Sequence, residues 1–129
     1  MIGLPSESPL GDRGQVIRAV ADLAARMRIR RFDCFPGEIF GDPAWDILLS
    51  LAQAAAEGRA TQASNIGLEA RVPLSTSLRR IQELEEYGLV RRWADPGDKR
   101  REFVGLSNAG LKAFYDYAQI VLELASPAA

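Results

Sequence analysis

From Leu74 onward the period of the apolar side chains switches from helical to alternating and back, and few architectures accommodate that order. Leu74, Leu78, Ile81 and Leu84 recur at i, i+4, i+7 and i+10. This predicts a helix over about Pro73–Tyr87 with those four side chains on its inner face. Gly88 follows as a left-handed stop, and Leu89 is placed to touch Leu84 in a Schellman contact. Val90 to Trp93 alternates apolar and basic, and Glu102 to Leu106 alternates around Phe103. Between them Ala94 to Arg101 is a turn-rich, basic hairpin tip. Ser107 then caps a last helix carrying Leu111, Phe114 or Tyr115, Ala118, Val121 or Leu122, and Ala125.

The upstream half supplies the helices that such a hairpin needs to pack on. Residues 1–11 are rich in Pro, Gly and Ser and read as a flexible tail. Asp12 and Gln15 resemble a capping box, and Val16, Val20, Leu23 and Met27 follow at 4-3-4 spacing on a helix of about 13–31. The other faces of that helix carry Arg13, Arg18, Arg26, Arg28, Arg30 and Arg31. Its narrow seam suits pairing with another helix, either of its own domain or of a second copy. Phe32, Phe35 and Phe40 are expected as buried anchors of a loop that also holds Cys34. Asp42 caps the next helix, which has Pro43 at its first position and ends at Gly58. Trp45, Ile47, Leu48, Leu49, Leu51, Ala52 and Ala55 make it apolar around most of its circumference, the mark of a central helix. Ala60 to Gln62 is a minimal strand, and Ser64 opens a two-turn helix to Ala70 with Ile66 and Ala70 inside. Arg71-Val72-Pro73 is a tight break, because the residue before Pro avoids the helical region.

Composition removes many chemistries. The 129 residues suffice for one domain and include no His and a single Cys. That excludes Ser-His-Asp and Cys-His nucleophiles, HExxH sites and zinc fingers. No phosphate-cradling glycine loop occurs, so an enzyme, a cofactor and a metal are not expected. No apolar run approaches the roughly 18 residues of a membrane span, and the first residues lack the pattern of a signal peptide. A cytoplasmic protein is the expectation. Cys34 reads as a small buried hydrophobe sooner than as a redox sensor.

Net charge is −1, but its distribution is uneven: residues 71–101 hold eight basic and five acidic residues, against eight and twelve elsewhere. A locally basic quarter on an acidic body is the footprint of an anion-binding face. Helix, tiny strand, helix, tight turn, helix and basic hairpin is the winged helix-turn-helix order. The chain is therefore read as mainly α with a small β-hairpin wing, a winged helix-turn-helix flanked by terminal helices. One domain spans 12–129, with an N-terminal helix and loop at 12–41, a winged lobe at 42–106 and a C-terminal helix at 107–129.

In that order the helix after Pro73 presents Ser75, Thr76, Ser77, Arg79, Arg80, Gln82 and Glu83 outward. Small residues let a helix approach the major-groove floor, and Arg pairs bidentately with guanine. Lys99, Arg100 and Arg101 at the hairpin tip suit the minor groove or phosphates, with Asp98 holding Arg100 extended. Ser64 completes the candidate DNA contacts. The same residues have plainer roles open to them. Ser75 and Thr76 suit capping, Arg79 and Arg80 suit pairing with Glu83 and Glu86, and Arg101 suits solubilising an edge strand.

Three segments carry a family resemblance: Leu84-Glu85-Glu86-Tyr87-Gly88-Leu89-Val90-Arg91-Arg92, Asp95-Pro96-Gly97-Asp98-Lys99-Arg100-Arg101 and Leu106-Ser107-Asn108-Ala109-Gly110. Residues 42–110 resemble the DNA-binding lobe of the MarR family of bacterial transcription regulators, whose pattern runs LExxGLVxR, DxxDxR and LTxxG. Ser107 stands where that family usually has Thr, and Arg80 where its recognition helix is usually apolar. The resemblance implies a homodimer whose terminal helices interleave, two lobes on a pseudo-palindromic operator in the bacterial nucleoid, and most often repression. It implies Ser75, Thr76, Ser77 and Arg79 facing bases, and Arg100 in the minor groove braced by Asp98. A small aromatic effector between the lobes is a further implication. The alternative is a winged-helix module for protein contacts that has lost DNA binding.

Overall fold

The computed structural model describes residues 12–36 and 41–126, with side chains from Asp22 onward. Five helices and three strands follow in the order α1 (Asp12–Cys34), α2 (Asp42–Ala56), β1 (Thr61–Gln62), α3 (Ile66–Ala70), α4 (Leu74–Glu86), β2 (Val90–Asp95), β3 (Asp98–Leu106) and α5 (Asn108–Ala125). The expected tail at 1–11, the anchor Phe40 and the side chains of Val16 and Val20 lie outside the described residues.

The core sits inside the winged lobe. Ile47, Leu48 and Leu51 of α2 meet Ile66 of α3, Ile81 and Leu84 of α4, and Val104 of β3, all almost fully buried. α2 packs on α3, α4 and β3 at once, as a central helix must. Its start differs from expectation. Gly41 takes the cap position and makes no side-chain bond, while Asp42 is already helical beside Pro43. The Asp42 carboxylate still lies in the first turn, where the helix dipole favours it. At the other end Gly58 has φ +68°, and Arg59 N–H donates to the Ala54 carbonyl at 2.9 Å, a Schellman stop.

The sheet runs β1-β3-β2, all antiparallel, with Val90 opposite Leu106 and Trp93 opposite Phe103. The strands extend further into the hairpin tip than alternation alone indicates, because β3 begins at Asp98. Gly88 (φ +77°) ends α4 with Leu89 N–H donating to the Leu84 carbonyl at 3.0 Å and Gly88 N–H to the Glu85 carbonyl at 2.9 Å. Ser107 joins the two helices on either side of the wing. Its hydroxyl donates to the Gly88 carbonyl at 2.5 Å and accepts from Gly110 N–H at 3.0 Å. A Cβ at Gly110 would collide with the Leu89 carbonyl, so the start of α5 is seated directly on the end of α4.

α1 lies along α5 and runs through Cys34, three residues beyond expectation. Phe32 is consequently on the last helical turn and about half exposed, not a buried loop anchor. Phe35 does anchor: it is buried in edge-to-face contact with Trp45, Phe114 and Tyr117, with ring centroids 5.6–6.4 Å apart. Cys34 packs at the edge of the core half-buried. Burial first, then the Asp116 and Asp33 carboxylates, push its thiol up and keep it protonated.

Candidate nucleic-acid interface

Which side of α4 faces outward is settled by its contact with α3. Gly67 has no side chain to hold the helices apart; a Cβ there would stand 2.6 Å from the Val72 carbonyl oxygen and 3.1 Å from Ser77 Oγ. Ser77 is fully buried at this contact, and its hydroxyl donates to the Leu74 carbonyl at 2.8 Å. The turn between the helices forces Arg71 into the left-handed region (φ 58°, ψ 45°), and Val72 N–H closes it on the Gly67 carbonyl at 2.7 Å.

The buried stripe of α4 is therefore Ser77, Ile81 and Leu84. Two sequence expectations are corrected. Ser77 cannot face bases, because a small hydroxyl is what the close α3–α4 approach requires at that point. Leu74 and Leu78 are not core residues: they are 54% and 43% exposed. At about 100° per residue, moving the inner face onto Ser77 turns Leu74 and Leu78 out to its flank. Ser75 and Arg79 then form the opposite, open ridge, one turn apart. Thr76 and Arg80 lie on the other flank, both partly buried. Arg80 is bound to Glu83 at 2.6 Å, so its plainer pairing role is the one realised. Ser64 is exposed just ahead of α3, with Asn65 at the cap position.

The wing tip is built by local hydrogen bonds. Gly97 N–H donates to Asp95 Oδ1 at 2.8 Å, which closes the turn between β2 and β3. Asp98 accepts from Arg100 backbone N–H at 3.0 Å, from Arg100 Nε at 3.2 Å and from its terminal nitrogen at 3.3 Å. Arg101 Nε stands 3.6 Å from the same carboxylate. The Arg100 side chain is nonetheless 90% exposed, against 25% for Asp98. The guanidinium beside it holds the Asp98 carboxyl below the usual carboxylate range. Arg100 is thus aimed, and it remains available to an outside anion. Arg71, Arg79 and Lys99 make no ion pair among the described residues.

The other wing arginines have structural work. Arg92 pairs with Glu85 at 2.7 Å and Glu102 at 3.5 Å, tying β2 to α4 and β3. Arg91 lies over the Trp93 ring at 4.2 Å. Between the end of α2, the sheet and the start of α5 is an apolar recess of about 200 Å³, lined by Leu51, Ala54, Trp93, Val104, Leu106 and Leu111. No group of side chains able to hold a metal ion is present among the described residues. No described helix is long and apolar enough to cross a membrane.

The residues missed in the sequence are Gly67, Leu74 and Leu78. The signal for them was present. Ser77, Ile81 and Leu84 are spaced i, i+4, i+7, as good a stripe as the leucines give, once a serine is admitted to the core opposite a glycine.

No protein-family model matches the chain, and no curated protein does. Solved structures match over most of its length. The Staphylococcus aureus MepR–DNA complex superposes with a TM-score of 0.67 at 20% identity, covering 85% of this chain and 85% of that one. NadR in complex with 4-hydroxyphenylacetate gives 0.63 at 21%, covering 95% and 80%. PcaV from Streptomyces coelicolor, in complex with its natural ligand, gives 0.55 at 19%, covering 81% and 72%. With about one residue in five identical, what is shared is the fold, and that fold is a winged helix. The structures that share it are transcriptional regulators of the MarR family.

Proposed function

We propose that the protein is a sequence-specific, double-stranded DNA-binding transcriptional regulator acting as a dimeric repressor. The observation that carries this reading is the wing tip, where Arg100 stands almost fully exposed yet is held in one pose by Asp98. A side chain spends rotamer freedom to be held so; the hold has value where a guanidinium must enter a narrow groove. The open ridge of Ser75 and Arg79 supplies the companion surface for the major groove, with Lys99, Arg101 and Ser64 toward phosphates. Thr76 borders the ridge. The MepR neighbour bound to DNA supports the same reading.

Two lobes related by a dyad would meet a pseudo-palindromic operator with half-sites about 34 Å apart. The terminal helices are the dimer surface in this proposal, and the bacterial nucleoid is the place of action. A small aromatic effector is proposed from the 4-hydroxyphenylacetate of the NadR neighbour; the PcaV neighbour also holds a ligand. The aromatic cluster of Phe35, Trp45, Phe114 and Tyr117, where the terminal helices join the lobe, is the chemistry on this chain that suits it.

Retention on immobilised random-sequence duplex, eluted by a salt gradient, tests the reading. The expected outcome is retention at low salt and a log–log affinity slope of about −0.9 per phosphate neutralised. Passage through the column at low salt overturns it and leaves the protein-contact module.

A further inference from the structure

Two leucines stand in water on the helix assigned to the major groove. Leu74 and Leu78, at i and i+4, form an apolar ridge in the amino-terminal part of α4. One side of that ridge borders the buried stripe of Ser77 and Ile81. The other borders the open ridge of Ser75 and Arg79. Neither leucine belongs to the hydrophobic core, and neither is needed to seat α4, which Ser77, Ile81 and Leu84 already do. The two leucines together offer an apolar contact at this place, and the Arg79 guanidinium beside them, which makes no ion pair among the described residues, is open to an anionic or acceptor-rich group. The major groove of duplex DNA offers both together. Its floor is lined with acceptors, and its one apolar group is the C5-methyl of thymine.

We infer that Leu78, with Leu74 behind it, reads a thymine methyl next to the base contacted by Arg79. This inference rests on the DNA-binding reading above and names what the helix selects. The free hydroxyls of Ser75 and Thr76 discriminate weakly, since a hydroxyl both donates and accepts. The methyl contact therefore gives this protein a preference that its polar groups do not supply.

The test begins with selection from a random-sequence duplex pool by the full chain, followed by replacement of each thymine in the selected duplex with deoxyuridine, one at a time. Deoxyuridine pairs as thymine does and lacks only the methyl. Binding is read by fluorescence anisotropy for the wild type, Leu78→Ala and Leu74→Ala, with circular dichroism to confirm that α4 is retained. At one thymine per half-site, deoxyuridine is expected to weaken the wild type about fourfold, the fold-change for burying one methyl-sized group. Leu78→Ala, which a dimer carries in both subunits, is expected to weaken binding to the thymine duplex by about that factor at each half-site and to become indifferent to the replacement at that position, the signature of a direct pair. Wild-type affinity unchanged by deoxyuridine everywhere overturns the inference and leaves DNA binding intact. So does an equal loss in wild type and Leu78→Ala. Failure of the pool to yield any bound duplex overturns the DNA-binding reading itself, and the inference with it.

Discussion

The winged lobe and the pair of terminal helices solve the burial problem differently. In the lobe, α2, α3, α4 and the sheet close on a dry core in which Ile47, Leu48, Ile66, Ile81 and Leu84 are wholly removed from water. Along α1 and α5 the apolar side chains are left half outside. No described residue of α1 is buried, and on α5 only Gly110 and Tyr117 are. Ile29 and Leu122 are each about two-thirds exposed, and Tyr115 nearly so. The lobe closes a dry core within one chain, although Leu68, Leu74 and Leu78 stand on its outside. Two helices that leave their apolar side chains in water are complete only with something further against them, and a second copy is the proposed cover.

The contrast can be attacked at four points. The largest effect is expected in the lobe: Leu48→Ala should cost about 2–5 kcal/mol, because the dense surround cannot collapse into the vacated space. Urea unfolding should show this loss at every protein concentration. On the arms, Leu122→Asp should leave lobe stability nearly unchanged. It should shift the light-scattering mass from twice the 14.1 kDa of one chain to a single copy. If the wild type already scatters as one copy, the proposed cover is wrong. Arg79→Ala should change neither stability nor mass, but weaken binding to a selected duplex by roughly 1–3 kcal/mol and relax preference at one base pair. Unchanged preference in a repeat selection would remove Arg79 from the reading surface.

The smallest effect is expected for Asp98→Asn, which loosens Arg100 without removing it. A loss of no more than about fivefold, equal across duplex sequences, is expected from an exposed pair. The pH dependence has a definite sign. Arg100 lowers the Asp98 pKa, so the brace is fully present above the ordinary carboxylate range and is lost as pH falls through the depressed value. Between neutral pH and mildly acidic pH the ratio of wild-type to Asp98→Asn affinity should therefore stay constant. A ratio that collapses in that interval would show that the brace does not govern Arg100.

Much of this was legible in the residues because it is local. The Gly88 stop, the Ser107 cap, the turn at Asp95–Asp98 and the Asp98–Arg100 brace each involve groups only a few positions apart, so a short segment fixes their geometry. The misreadings concern position around a helix axis or along its end. Phe32 and Phe35 are three residues apart and chemically alike. One more turn of α1 leaves the first outside and brings the second in.

The chain's own order of residues determined the succession of helices and strands, the glycine stops of α2 and α4, and the cationic tip of the wing. The phase of α4 was decided in three dimensions. Four leucine and isoleucine positions and a serine-led stripe offered two inner faces nearly equal in spacing, and hydrophobicity favoured the leucines. The missing side chain of Gly67 brings α3 so close that only a residue as small as Ser77 fits opposite, and the rest of the helix turns with it. Steric exclusion between segments ten residues apart outweighed the transfer energy of two leucines, and it set which side chains the helix shows to the outside.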